Sequence, residues 1–154
     1  MKYKIYLDDE RTPDDKDWIV VRNYDEFVKK INELGLNNID VISFDHDLGD
    51  SAIEEYYSNV KKNNKLNYEH ISEKTGYDCA KYVVEKFYLE NPDRENMSRD
   101  QKSTSEIMFP TITVHSANPI GAQNIIGYLN NFLKYEGQPE NCVRVQIPHT
   151  IKNQ

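Results

Sequence analysis

The stretch VISFDHDLGD, Val41 to Asp50, runs four apolar or small residues into Asp-His-Asp and then a Gly-Asp turn. A short apolar run of this kind reads as a buried strand. A buried strand has no packing reason to end in two carboxylates and an imidazole. The chain repeats the arrangement twice more. Lys4 to Leu7 leads into Asp8-Asp9-Glu10-Arg11, and Ile112 to Val114 leads into His115-Ser116-Ala117-Asn118-Pro119. Two further segments read as strands, Trp18 to Val21 and Cys142 to Ile147, the second alternating as an edge strand does.

Helical patterns lie between these strands. Asn23 to Gly35 puts Tyr24, Phe27, Val28, Ile31 and Leu34 on one stripe, with Asn23 as N-cap and Gly35 as the stop. Thr75 and Asp78 stand at capping-box spacing ahead of a second helix that ends at Asn91-Pro92. A third begins with Asn118 as N-cap and Pro119 at the first helical position, and buries Ala122, Ile125, Ile126, Leu129, Phe132 and Leu133. Strands alternating with helices imply parallel pairing and an α/β sheet covered on both faces. Two polar segments read as excursions from this pattern. Residues 51–74 hold at most one short helix around Ile53 to Val60, and residues 93–106 read as a charged, Ser-rich, mobile loop.

The 154 residues suit one domain, spanning 1–150. Composition is that of a soluble protein, 38% hydrophobic and 29% charged, and no run approaches the ~18 apolar residues of a membrane helix. The start of the chain lacks a signal-peptide apolar stretch, so a cytoplasmic protein is expected. Cys79 and Cys142 read as two reduced thiols. A net charge of -7 argues against duplex DNA or an anionic membrane as partner, but not against a small anion held by local cations. The abundance of Asn, Lys, Tyr and Ile suits AT-rich codons, as in a low-GC bacterium or a phage.

In an open parallel sheet, ligands bind beyond the carboxyl ends of the strands. That is where Asp8, Asp9 and Arg11, then Asp45, His46 and Asp47, and then His115 and Ser116 fall. Several carboxylates in one crevice need a counter-charge. Mg²⁺ or Mn²⁺, both hard oxygen-seeking cations, would supply it and would clamp a phosphate. Arg11 and the helix start at Asn118 are anion donors, and His46 and His115 suit proton transfer near neutral pH. Each residue also has a plainer reading. Asp9 and Asp50 could be turn residues, Arg11 a surface ion pair, and His115 a semi-buried structural histidine, while His149 could reach the crevice rim but reads more plainly as part of a solvated tail.

Asp8-Asp9, Asp45 and Ser116-Ala117 resemble the acid pair, the phosphoacceptor and the hydroxyl position of response-regulator receiver domains. This chain departs from them at strand five, where Ile147 stands in place of a lysine, and in lacking the first and last helices. A closer resemblance is to the cyclic-phosphate-processing receiver domains, carried by Leu7 to Pro13 (LDDERTP), Val21-Arg22, Ser43 to Gly49 (SFDHDLG), Thr75 to Asp78 (TGYD) and His115 to Ala122 (HSANPIGA). The match runs in order from Leu7 to about Leu133. It implies a receiver or flavodoxin-like three-layer sandwich with a five-stranded parallel sheet in order 2-1-3-4-5. It further implies a metal-dependent phosphoesterase for cyclic or terminal phosphates of nucleotides or RNA ends. Asp8, Asp9 and Asp45 would then hold metal, with Asp47 beside them. Arg11, Arg22, Thr75, Ser116 and Asn118 would contact phosphate or ligand. Two alternatives stand beside this reading. One is a binding or sequestering protein, conceivably phage-encoded, that uses the same pocket or engages a protein partner through residues 51–74 or 93–106. The other is a phosphoacceptor domain using Asp45.

Overall fold

The computed structural model describes residues 2–151. Five strands form one parallel sheet: β1 (Tyr3–Leu7), β3 (Trp18–Val21), β4 (Ile39–Phe44), β5 (Thr111–Val114) and β6 (Val143–Arg144), in the order β3-β1-β4-β5-β6. This is the receiver-like order expected from the sequence. The last strand is shorter than expected, pairing with β5 over two residues only.

Side chains alternate across the sheet because successive Cβ atoms point to opposite faces. Ile5, Leu7, Ile42, Phe44, Ile112 and Val114 join one core. Three long helices cover that core, α1 (Tyr24–Leu34), α4 (Gly76–Glu90) and α6 (Pro119–Tyr135), with α4 packed against both of the others. Their caps are those legible in the sequence. Asn23 accepts from the Glu26 amide, Thr75 and Asp78 form a capping box, and Asn118 accepts from the Gly121 amide.

The opposite face carries Lys4, Tyr6, Trp18, Ser43 and Thr113, and its cover is thin. Part of it comes from a short two-stranded ribbon, in which β2 (Arg11–Pro13) pairs antiparallel with β7 (His149–Ile151). Through this ribbon Tyr6, whose side chain points away from the Ile5 and Leu7 face, meets His149. The C-terminal segment is therefore part of the fold, where the sequence had suggested a solvated tail.

Both excursions are tied down. Residues 50–63 form α2 (Asp50–Glu55), a π turn (Tyr56–Val60) and α3 (Lys61–Asn63), ending at Asn64 in the left-handed region with φ 56°. Glu55 is buried here and takes hydrogen bonds from Asn59, the Asn67 amide and His70. The expected mobile loop at 93–106 is instead a 3-10 turn (Pro92–Asn96) followed by α5 (Arg99–Thr104), capped by a Ser98–Gln101 box. The reason is electrostatic. Glu136, fully buried at the end of α6, receives Arg94 Nε at 2.8 Å, Lys102 Nζ at 3.1 Å and the Tyr88 hydroxyl at 2.7 Å. Two of the charges that made this segment look solvated, Arg94 and Lys102, are buried against Glu136, while the others remain exposed.

No helix among the described residues is long and apolar enough to cross a membrane. Cys79 and Cys142 are buried free thiols, and burial pushes the Cys142 thiol up to about 12.

Removing one partner from a buried ion cluster leaves the others uncompensated. Glu136→Gln is expected to destabilise the domain by about 3–5 kcal/mol in urea unfolding. It should also expose residues 92–106 to proteolysis before the rest of the chain.

Candidate active site

Register brings the polar strand ends together. Leu7 pairs with Phe44, and Phe44 with Val114, so the residues that follow each strand, Asp8, Asp45 and His115, stand side by side. The ladder continues one step past the strands, with the Asp45 amide donating to the Leu7 carbonyl and the His115 amide to the Phe44 carbonyl, both at 2.9 Å. Asp8, Asp9 and Asp45 each offer a carboxylate oxygen, and these atoms lie within 4.8 Å of one another.

The carboxylates differ in what surrounds them. Burial works against ionising Asp8. Hydrogen bonds from His115 Nε2, the Arg11 amide and the Glu10 amide, together with the Arg11 charge, outweigh it and hold the group below its ordinary value. Asp45 is raised to about 8 by burial and then by the Asp8 charge, despite Arg11 and the His46 amide. Asp9 is raised to about 6, again by burial and then by Asp8 and Glu10. Arg11 bridges the group, with Nε on Asp8 at 3.0 Å and Nη2 on Asp45 at 3.5 Å. One guanidinium against three carboxylates leaves negative charge in excess, which adds to burial in pushing two of the acids up. The donor set, all hard oxygen, fits Mg²⁺ or Mn²⁺.

The two histidines sit behind the acids. His115 is stacked on Tyr6 with ring centroids 4.2 Å apart. Its Nε2 meets Asp8 at 3.1 Å and its Nδ1 meets the Ser43 hydroxyl at 2.8 Å, which in turn accepts from Thr113. A carboxylate only accepts, so Nε2 carries the proton and Nδ1 takes the Ser43 hydroxyl. Burial lowers the His115 pKa, against the pull of Asp8, in keeping with this neutral tautomer. His46 repeats the pattern. Its Nδ1 donates to Asp47 at 2.7 Å, its Nε2 meets the Tyr68 hydroxyl at 2.9 Å, and Tyr68 accepts from Asn124. Both side chains are fully buried. Close backbone approach makes room for this, since a Cβ at Gly121 would lie 2.3 Å from the His46 ring, and one at Gly76 1.8 Å from the Asp45 carbonyl oxygen.

Other expected ligand contacts are committed elsewhere. Arg22 donates to the Asp8 and Arg11 carbonyls and to the Thr12 hydroxyl, stapling the loop after β1. Asn118 joins Asp47 to the start of α6. Thr75 is buried in its capping box, so the structure does not bring it to the acids. The Ser116 hydroxyl accepts from the Asn118 amide, while its carbonyl holds Arg144 at 2.8 Å.

Three contributors stand outside the expected site residues, although the sequence allows His149 to reach the crevice rim. Tyr68, from the polar excursion, completes the His46 chain. His149 accepts from Arg11 Nη1 at 3.2 Å, and Arg144 reaches the crevice from β6. None has a local signal, because each depends on a contact between segments far apart in the chain. Tyr56 and Tyr57 of the π turn also line the acid cleft, opposite no expectation of the sequence.

The Asp45 pKa has a signed consequence for stability. Folded Asp45 keeps its proton to about 8, whereas the unfolded group releases it near 3.8. Its contribution is complete below 3.8 and is lost as pH rises to about 8. Asp45→Asn removes that loss. In metal-free buffer the variant should gain on the wild type across this window, by more than about 1 kcal/mol at the alkaline end. Paired thermal melts at several pH values check this.

Residues 3–131 match the family described as the cyclic-phosphate processing Receiver domain. No curated protein and no solved structure matches the chain. The match spans both acid strand ends, both histidine chains and the long helices up to the last turn of α6, and stops short of β6 and β7. With the strand order, the register and the acid cluster in agreement with it, this chain belongs to the cyclic-phosphate processing Receiver domain family.

Proposed function

We propose that this domain is a divalent-metal-dependent phosphoesterase acting on cyclic or terminal phosphates of nucleotides or RNA ends, in the cytoplasm of a bacterium or a phage-infected host. The observation that carries the reading is the excess of carboxylate. Asp8, Asp9 and Asp45 converge within 4.8 Å, and Arg11 alone leaves Asp45 raised to about 8. Asp8, Asp9 and Asp45 would hold Mg²⁺ or Mn²⁺. When bound, the cation supplies charge neutralisation and polarisation of the phosphate. Arg11, placed between the acid cleft and the neighbouring one, presents a planar fork to phosphate oxygens.

His46 and His115 take a different part from the base and acid expected of them. Both nitrogens of each ring are engaged within the fold. In this reading they are positioning residues. His115 keeps Asp8 ionised and aimed, and His46 orients Asp47 through its Nδ1 hydrogen bond, as partners behind ligating carboxylates commonly do.

A second reading, a protein that holds the nucleotide without turning it over, is favoured by the same engagement. Neither buried histidine is free to carry a proton to or from a ligand.

The test is turnover of 2′,3′-cyclic nucleotides and ADP-ribose cyclic phosphate with Mg²⁺ or Mn²⁺. The expected outcome is metal-dependent hydrolysis abolished by Asp45→Asn. His115→Gln should lower apparent metal affinity roughly 10- to 100-fold, and saturating metal should restore most of its rate. Tight binding without turnover would replace the first reading with the second.

A further inference from the structure

A second cleft adjoins the acid cleft and carries the opposite charge. Its volume is about 880 Å³, against about 300 Å³ for the acid cleft, and Arg11 and Ala117 line both. The other polar groups in its wall are His115, Ser116, Arg144, Gln146 and His149. Among the described residues no carboxylate lines it, in a chain whose net charge is -7. The two clefts are thus neighbouring lobes of one crevice, one acidic and one basic.

The basic lobe is built by the C-terminal arm. Arg144 Nε and Nη2 both donate to the Ser116 carbonyl, at 3.2 and 2.8 Å, which fixes the guanidinium against the strand end. A neutral carbonyl leaves the positive charge uncancelled. His149 accepts from Arg11 Nη1, so its lone pair steadies Arg11 at the junction of the lobes. The β2–β7 pairing holds the arm in place, with Pro13 opposite His149 and Arg11 opposite Ile151. Arg144, Gln146 and His149 lie beyond residue 131, where the family match ends, whereas Arg11, His115 and Ser116 lie within it.

We propose that the basic lobe is a second anion subsite, in which Arg144 takes a phosphate group remote from the one processed at the acid lobe. The preferred ligand is then a nucleotide carrying two separated phosphates, one cyclic or terminal and one phosphomonoester. The inference rests on the phosphoesterase reading only for the ligand being a phosphate ester. A guanidinium–phosphate contact of this kind is a charge-assisted hydrogen bond, stronger than a neutral one.

The experiment is calorimetric binding, with Mg²⁺ present, of adenosine 2′,3′-cyclic phosphate and of the same nucleotide bearing a 5′-phosphate. The 5′-phosphorylated nucleotide is expected to bind about 10- to 100-fold more tightly. Arg144→Gln should remove that advantage. Gln146 is exposed, so Gln146→Glu adds a carboxylate to the lobe without touching the Arg144 clamp, and it should weaken the 5′-phosphorylated nucleotide selectively. Equal affinity of the two nucleotides in the wild type overturns the proposal, as does an advantage that survives both variants. Failure of both nucleotides and of inorganic pyrophosphate to bind overturns it as well. Cleavage is not needed for the readout. A 5′-phosphate preference without turnover sinks the phosphoesterase reading and leaves the subsite, whereas turnover without preference sinks the subsite alone.

Discussion

Like charge gathered at the ends of two adjacent strands is the constraint around which this domain is organised. Pairing of Leu7 with Phe44 forces Asp8 and Asp45 together, and Asp9 follows Asp8 into the same space. The fold meets the resulting repulsion in three ways. Arg11 supplies one positive charge, amides and His115 donate to Asp8, and Asp45 and Asp9 are pushed toward protonation. What remains is an unmet demand for positive charge, aimed at a cleft. A structural ion cluster elsewhere in the molecule shows the contrast. Glu136 is matched by Arg94 and Lys102 and closed off from solvent.

The two histidine chains give the site its rigidity. Thr113, Ser43, His115 and Asp8 form one sequence of donors and acceptors, and Asn124, Tyr68, His46 and Asp47 form another. In each, a hydroxyl faces one ring nitrogen and a carboxylate the other, so the tautomer is set by chemistry and leaves little freedom. A buried imidazole satisfied at both nitrogens is also stable where a free one would be costly. This arrangement explains why the imidazoles stand so close to the carboxylates without facing solvent.

Much of this was legible in the sequence because it is local. The apolar runs ending at Leu7, Phe44 and Val114 mark the strands, and the acids and histidines that follow mark the crevice. Asn23, Thr75-Asp78 and Asn118-Pro119 announce the three long helices through capping chemistry that spans a few residues. The rest depends on distant partners. Nothing near Arg94 or Lys102 indicates that Glu136 will bury them, so a charged stretch reads as a loop. The three-residue pairing of Arg11–Pro13 with His149–Ile151 is too short to show a period, so the ribbon stays hidden, and the strand pattern at Cys142 to Ile147 does not show that Arg144 turns to the crevice. His46 and His115 follow the strands that the sequence marks, but whether a histidine nitrogen faces a ligand or a serine hydroxyl is decided by the sheet register and by Tyr68. Sequence carries neither.

The central claim is that the acid cluster is a cation site. Titration with Mn²⁺ followed by electron paramagnetic resonance, across pH 6 to 8, tests it most directly. One bound Mn²⁺ per chain is expected, with affinity rising as Asp9 and Asp45 lose their protons, at about 6 and about 8 respectively. Binding should be lost in Asp45→Asn. Binding that does not change with pH, or that persists in Asp45→Asn, would mean that Arg11 alone satisfies the carboxylates and that the crevice is not a metal centre.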